Sequence, residues 1–384
     1  MQTIFFIPGD GIGPEVMNAA REVITEALKL YGQEKEVTWQ KLLAGQEAFE
    51  QTGSYLPEET LTALKTARYA VKGPLTTPVG KGFRSLNVTL RQTFDLYACI
   101  RPIRYFQGVA SPVKSPEKVN MVVFRENTED VYAGIEWEAN SDQVKKLIEF
   151  LRDQLQVELK PQSAVGLKPV TEQGCKRLIA KAIEYGLNHK RSSVTLVHKG
   201  NIMKYTEGAF RNWGYELAKE KYPEVITEEE AKAGQTGLVL KDRIADAMFQ
   251  EALLHPEQYD VLATTNLNGD YLSDALAAQV GGLGIAPGVN KGDNLALYEP
   301  THGTAPTIAG QDKANPCSMI LSMAMLLEDM GLNNVAKSVE QAVEKTILAK
   351  TVTIDLASQM KEATPVGCKE FATKVIQNLT RQEC

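Results

Sequence analysis

No apolar run in this 384-residue chain approaches the length of roughly 20 residues that a membrane-spanning helix requires. The start of the chain carries no basic stretch ahead of an apolar one, so no secretory signal is expected. Cysteine is sparse. The five residues Cys99, Cys175, Cys317, Cys368 and Cys384 are odd in number and never form C-x-x-C. That pattern predicts reduced cytoplasmic thiols and excludes a disulfide frame or a zinc cage. The four histidines, His189, His198, His255 and His302, show no metal-ligand spacing, which argues against a transition-metal site built on His or Cys. The net charge of -6 gives no global attraction for nucleic acid or an anionic membrane, so an anionic ligand needs a local basic cluster. Internal repeats, low-complexity tracts and coiled-coil heptads are also missing.

What remains reads as alternating strands and helices. The run Ile4–Ile7 precedes "PGDGIGPEV", where Pro14 suits a first helical position and Val16, Ala19, Ala20, Val23, Ile24, Ala27 and Leu28 recur as on a core-facing helix. Gly9, Gly11 and Gly13 mimic a dinucleotide-binding turn, but the third glycine of G-x-G-x-x-G is replaced by Pro14. Further strands are predicted at 37–43, 69–73, 121–124, 194–197 and 259–263. Helices are predicted after Pro57 and over 171–185, with Thr171 as the cap. Residues 140–160 read as a charged amphipathic stretch, 225–236 as a solvated loop, and "VGGLGIAPG" at 280–288 as a glycine-rich crossing and hinge. This grammar predicts an α/β sheet with helices on its faces.

Three chemical clusters stand out. Arg91, Arg101 and Arg125 lie beside polar residues in largely apolar segments. Guanidinium forks bind carboxylates bidentately, so their convergence would suit a ligand with several carboxylates; scattered surface ion pairs are the plain alternative. Ser85 and Asn87, two apart, would face one way in an extended segment and donate to such a ligand, or else cap a helix. Asp270 and Asp274 fall one helical turn apart, and Asp246 lies in an apolar helical pattern. Together they form either an oxygen-ligand site for Mg²⁺ or Mn²⁺ or a solvated acidic face. Lys199 ends an apolar strand, where a lysine near a metal can act as a base, and Tyr132 can serve as a general acid; either can equally be structural.

The motifs "GDGIGPEV", "KGPLTTPVGKGFRSLNVTLRQ", "FRENTEDVYAGIEW", "TLVHKGNIMKYTEGAFRNWGYELA", "NLNGDYLSDALAAQVGGLGIAPG" and "THGTAPTIAG" follow in order along nearly the whole chain. In that series the chain closely resembles the isocitrate/isopropylmalate dehydrogenase family of β-decarboxylating dehydrogenases. The resemblance implies a non-Rossmann α/β fold. It has a large domain from 1–96 and 281–384, a small domain from 97–129 and 172–280, and a clasp at 130–171. It implies metal-dependent oxidative decarboxylation of isocitrate to 2-oxoglutarate by a cytoplasmic homodimer with active sites shared between subunits. Ser85, Asn87, Arg91, Arg101 and Arg125 match the isocitrate-binding positions. Tyr132 matches the general acid and Lys199 the base-side lysine lent by the partner. Asp246, also from the partner, Asp270 and Asp274 match the metal ligands, with Asp270 assisting proton removal. Homoisocitrate or isopropylmalate as substrate, a non-catalytic regulatory subunit, and a binder of metal–citrate-like anions are the alternatives.

The resemblance also places the nucleotide on the "HGTAP" loop, through His302, Gly303, Thr304, Ala305, Thr307, Ile308 and Asn315, with Lys72 and Thr76 on the nicotinamide side. Relatives using NADP⁺ carry Lys-Tyr after "HGTAP" and a later Tyr and Arg. This chain has Thr307, Ile308, Ile354 and Ser358 there. No cation stands at those places to meet a 2′-phosphate, so NAD⁺ is expected, with NADP⁺ as the alternative and Lys313 as a cation that could admit it. Ser85 is also the position where a phosphate would repel the substrate.

Overall fold

The computed structural model describes residues 1–76 and 85–381. Residues 77–84, inside the long "KGPLTTPVGKGFRSLNVTLRQ" motif, and 382–384, with Cys384, lie outside the described residues. The main sheet has eleven strands. In chain order they are β1 (Gln2–Ile7), β2 (Val37–Lys41), β3 (Tyr69–Lys72), β4 (Ala98–Arg104), β5 (Asn120–Glu126), β6 (Ser193–His198), β7 (Val225–Thr227), β8 (Leu238–Ile244), β9 (Val261–Thr264), β10 (Pro287–Lys291) and β11 (Ala296–Pro300). Their order across the sheet is β2-β1-β3-β11-β10-β4-β5-β9-β6-β8-β7.

Two parallel blocks make up this sheet. Strands β2, β1, β3 and β11 run one way. Strands β5, β9, β6, β8 and β7 are parallel to one another. Between the blocks β10 pairs antiparallel with both β11 and β4, and β4 antiparallel with β5. The blocks therefore run in opposite directions, and their junction is a topological switch of the kind that opens a crevice in α/β sheets.

Side chains alternate across each strand and sort into different cores. Ile4, Phe6, Val122 and Phe124 join a core under the helices Gly13–Leu30, Cys317–Asp329 and Glu172–Asn188. On the opposite face Ile7, Ala70 and Leu297 pack with Leu64, Leu86 and Leu90. Further along that face Ile103, Met121 and Val123 pack with Met248, Leu272 and Leu276. Two apolar clusters thus share one face. The residues in register between them are polar: Lys72, Glu299, Asn290, Arg101 and Arg125, all buried. This polar seam in an otherwise apolar face is where the fold leaves room for chemistry.

Several local expectations are corrected. Residues 225–236 are not simply a solvated loop, because Val225–Thr227 forms edge strand β7 and Glu228–Lys232 a short helix. Thr227 and Glu230 cap that helix reciprocally, a T-x-x-E capping box present in the sequence. Ser85 and Asn87 do not sit in an extended segment: Ser85 occupies the N-cap position of helix Leu86–Thr93 and Asn87 lies within it. Asp246 is not enclosed by its apolar neighbours; it is the second residue of helix Ala245–Leu254, with its side chain 70% exposed. The 140–160 stretch is the helix Asp142–Leu155, capped by Ser141, and Thr171 caps Glu172–Asn188 through the Gly174 N–H.

Candidate active site

The opening glycine turn has a clear structural task. Ile12 N–H donates to the Thr304 carbonyl at 2.9 Å, and a Cβ on Gly11 would stand 2.0 Å from that same oxygen. Gly9 presses on the Pro74 carbonyl, and Asp10 accepts from the Gln46 and Thr76 N–H groups, each at 2.7 Å. Gly9 and Gly11 also hold positive φ, which a side chain would strain. The turn therefore carries the "HGTAP" loop and the segment after Lys72. It is glycine-rich because backbone meets backbone there.

The arginines converge. The side chains of Arg91, Arg101 and Arg125 are 12%, 11% and 2% exposed, which excludes scattered surface pairs. Arg125 donates from Nε to Asn266 Oδ1 at 2.8 Å and from Nη1 to Asp270, and its ring neighbour is Tyr132, 4.9 Å away. Arg101 Nη1 reaches Ser273 Oγ at 2.6 Å and Asp274 at 3.0 Å. Arg91 pairs with Glu299 at 3.1 Å. Burial, then the nearby charges of Arg91 and Arg101, lower the pKa of Arg125. Three guanidinium groups in one pocket repel one another unless an anion joins them.

Asp270 and Asp274 share a face of helix Asn266–Gln279. Burial works against the charge of Asp270, yet Arg125 and the Tyr132 hydroxyl, which donates to it at 2.6 Å, hold its pKa below the usual value. Asp274 moves the other way: burial raises it, and Asp270 adds to the rise against the pull of Arg101. Burial and the Asp270 bond push the Tyr132 phenol up, so it stays protonated as a donor.

Lys199 and Asp246 form a separate unit. Lys199 follows β6, Asp246 follows β8, and the two pair through Nζ and Oδ1. No group of three His, Cys, Asp or Glu side chains that could hold a metal occurs among the described residues, so one chain does not gather the three aspartates. The donor set still fits Mg²⁺ or Mn²⁺, because Asp270 and Asp274 are hard carboxylates on one face, 34% and 52% exposed, with Asp274 under-neutralised.

Sequence reasoning missed Glu299. Its carboxylate lies between Lys72 Nζ at 2.5 Å and Arg91, and accepts from Asn290 Nδ2 at 2.6 Å. Its place in "LYEPTHGTAP", two residues beyond an apolar strand position, was the available signal. Ser85 makes no capping bond with its side chain. Among the described residues, buried polar atoms without a partner include Asn87 Oδ1, Arg91 Nε, Arg125 Nη2 and His302 Nε2. Four sequence-predicted ligand contacts thus hold unmet hydrogen-bonding capacity, which is costly unless a ligand meets it. Burial lowers the pKa of His302. Asn315 donates to Asp355 at 3.0 Å beside the loop, whose short helix is Pro306–Ile308.

Residues 3–375 match the family model described as isocitrate/isopropylmalate dehydrogenase. The chain belongs to that family. It is 53% identical to a protein of Archaeoglobus fulgidus named isocitrate dehydrogenase [NADP], over 97% of this chain and 92% of that one. A Streptococcus salivarius protein of the same name is 54% identical over 92% and 90% of the two chains. The crystal structure of isocitrate dehydrogenase from Methylococcus capsulatus superposes with a TM-score of 0.83 at 40% identity, covering 99% of both chains. The expected α/β fold of the isocitrate/isopropylmalate dehydrogenase family is therefore present, built on one large sheet, and it is not a Rossmann fold.

The same names overturn the NAD⁺ expectation, since these relatives are named for NADP. Positions 307, 308, 354 and 358 carry no cation. On the same loop Gln311 Nε2 donates to the Thr307 carbonyl at 2.8 Å, and Lys313, the cation named above, donates from Nζ to Gln311 Oε1 at 3.0 Å. A phosphate needs a cation near in space, and matched sequence positions are a poor measure of that. As for membranes, no helix among the described residues is long and apolar enough to cross one.

Proposed function

We propose that this chain catalyses the oxidative decarboxylation of isocitrate to 2-oxoglutarate and CO₂ with reduction of NADP⁺. The observation that carries the reading is the buried convergence of Arg91, Arg101 and Arg125 beside Asp270, Asp274 and Tyr132. A tricarboxylate matches three guanidinium groups in charge and in bidentate geometry. The high identity to relatives named isocitrate dehydrogenase [NADP] favours the same substrate and cofactor.

Arg91, Arg101 and Arg125, with Ser85 and Asn87, hold the substrate carboxylates. Asp270 and Asp274, with Asp246 from a second copy, hold Mg²⁺ or Mn²⁺, which supplies Lewis-acid polarisation of the C2 oxygen when bound. Lys199 of that second copy, with Asp270, accepts the C2 hydroxyl proton, and Tyr132 delivers a proton to C3 after CO₂ leaves. The Lys199–Asp246 pair is 31% and 70% exposed, and among the described residues no three His, Cys, Asp or Glu side chains of one chain gather to hold a metal, which supports a homodimer whose sites are shared. His302, Gly303, Thr304, Ala305, Thr307, Ile308 and Asn315 line the adenosine side of the cofactor, and Lys72 and Thr76 the nicotinamide side. The antiparallel β10–β4 junction supports the division into a large lobe from both chain ends and a small lobe from the middle.

The test follows nicotinamide reduction by the purified chain with isocitrate and Mn²⁺, comparing kcat/KM for NADP⁺ and for its dephosphorylated counterpart. Isocitrate-dependent NADP⁺ reduction with the higher kcat/KM is expected. No such reduction, or a higher value without the 2′-phosphate, overturns the reading.

A further inference from the structure

Beneath the site lies a buried ion cluster that the reaction scheme does not use. Glu207, the first residue of helix Glu207–Lys221, is completely buried. Its carboxylate accepts from Lys199 N–H at 2.8 Å, Thr265 Oγ1 at 2.8 Å and Asn268 Nδ2 at 2.7 Å, and pairs with Lys168 Nζ at 3.0 Å. Lys168 Nζ also pairs with Asp130 at 2.5 Å. Asp130 is 1% exposed and holds φ +69, a left-handed conformation that favours glycine. Its carboxylate accepts from Val131 N–H at 2.6 Å and Leu267 N–H at 3.1 Å.

Each partner sits beside a residue of the proposed chemistry. Glu207 holds the backbone of Lys199 itself. Asp130 opens the short helix Asp130–Ala133 that carries Tyr132. Leu267 and Asn268 belong to the first turn of helix Asn266–Gln279, which carries Asp270. That helix has no side-chain cap of its own at Thr265, so Asp130 caps it from another element. Two buried carboxylates and one ammonium leave a surplus negative charge. The N-termini of helices Glu207–Lys221 and Asn266–Gln279 meet it with partial positive charge.

We infer that Lys168 is a positioning residue. Shared by Glu207 and Asp130, it sets the lysine offered to the partner's site in fixed register with the Tyr132 and Asp270 of its own site. This rests on the roles proposed above for Lys199, Tyr132 and Asp270. Because the groups it registers serve two different sites, displacement of Lys168 is felt at both. A shift of about 1 Å in a reacting group can cost on the order of 10²-fold in rate.

The experiment is steady-state kinetics on Lys168→Met in the full-length enzyme, with thermal melting and a pH profile of kcat alongside. Expected is a fall in kcat of at least tenfold, isocitrate KM within threefold of wild type, and a displaced acid limb in the pH profile. A kcat within twofold of wild type overturns the proposal. So does a loss that merely follows the unfolded fraction with an unshifted profile. Should Lys168→Met not fold, Asn268→Ala removes a single bond to Glu207 and reads the same quantities, with a threefold or larger fall in kcat expected and none refuting. Lys199→Met and Tyr132→Phe run in parallel: near-wild-type rates in both would sink the underlying roles, whereas their loss beside an unaffected Lys168→Met sinks only the positioning claim.

Discussion

Replacing Glu299 by Gln keeps the side-chain shape and removes one buried charge. Glu299 is 9% exposed, Lys72 3% and Arg91 12%, so the carboxylate neutralises two cations that water scarcely reaches. In the variant one neutral amide oxygen replaces the two carboxylate oxygens that met Lys72 and Arg91, and the other acceptor of Lys72 is the Gly73 carbonyl, at 3.2 Å. Removing one partner of a buried ion pair costs about 3–5 kcal/mol, because the other charge is left uncompensated. Burial alone would raise the Glu299 pKa, but Lys72 and Arg91 overcome it and hold the carboxyl far below the usual carboxylate range. A folded pKa depressed in this way stabilises the protein above the unfolded value of about 4.3. The contribution fades as pH falls below that value toward the folded one. Urea denaturation should therefore show Glu299→Gln less stable by about 3–5 kcal/mol at pH 7. Below about pH 4 the gap should narrow by about 1.4 kcal/mol per pH unit. Isocitrate KM should rise about tenfold as Arg91 loses its anchor, one charge-assisted bond's worth. A gap under about 1 kcal/mol at pH 7, the size expected of an exposed pair, or one that widens in acid, would refute the account of Glu299 as the counter-ion of the seam.

Arg101→Met should raise isocitrate KM by about 30-fold or more, the cost of truncating a buried charge partner; a KM within threefold in steady-state assays would count against carboxylate binding there. Tyr132→Phe should lower kcat by about 10²–10⁴-fold, the range for a lost general acid, with KM little changed. Gly11→Ala should raise the NADP⁺ KM while sparing isocitrate KM, since the added Cβ meets the Thr304 carbonyl at 2.0 Å. Equal effects on both constants would contradict the support role of that turn. Asp242 feels burial, which raises it, but its hydrogen bonds from His198 and Tyr215 and the charge of Arg211 hold it at about 2. Asp242→Asn should therefore cost about 2 kcal/mol at neutral pH. Its contribution is present above about pH 4 and is lost as pH falls toward 2, so denaturation midpoints of variant and wild type should converge in acid.

Strand and helix placement was legible wherever one physical signal dominated. The helix Gly13–Leu30 followed from apolar spacing and Pro14, and Glu172–Asn188 from spacing and Thr171. The segment 225–236 was misread because its acidic run looked like solvated chain, although Thr227 and Glu230 spelled a capping box. Arg91, Arg101 and Arg125 were legible as types, but their convergence was not. It depends on strand register, which puts Cys99 beside Arg125 and Val289 beside Ile100, pairings between segments far apart in sequence. Glu299 and Glu207 stayed hidden for the same reason. A lone acid near a strand end or helix start is ordinary in a sequence, and only the partners assembled around it distinguish a buried counter-ion.

The opening "GDGIGPEV" carries this argument furthest. By sequence it offers three glycines in a strand–turn–helix, the pattern of a pyrophosphate cradle with Pro14 in place of the last glycine. In the fold those glycines face protein backbone: Gly9 meets the Pro74 carbonyl, Gly11 the Thr304 carbonyl and Gly13 the Pro8 carbonyl. Close approach is what selects glycine in both settings. The glycine pattern reports that something must come near, without saying whether it is a phosphate or a peptide bond. What decides is the partner. Here it is the "HGTAP" loop, so the turn carries out its task by supporting that loop.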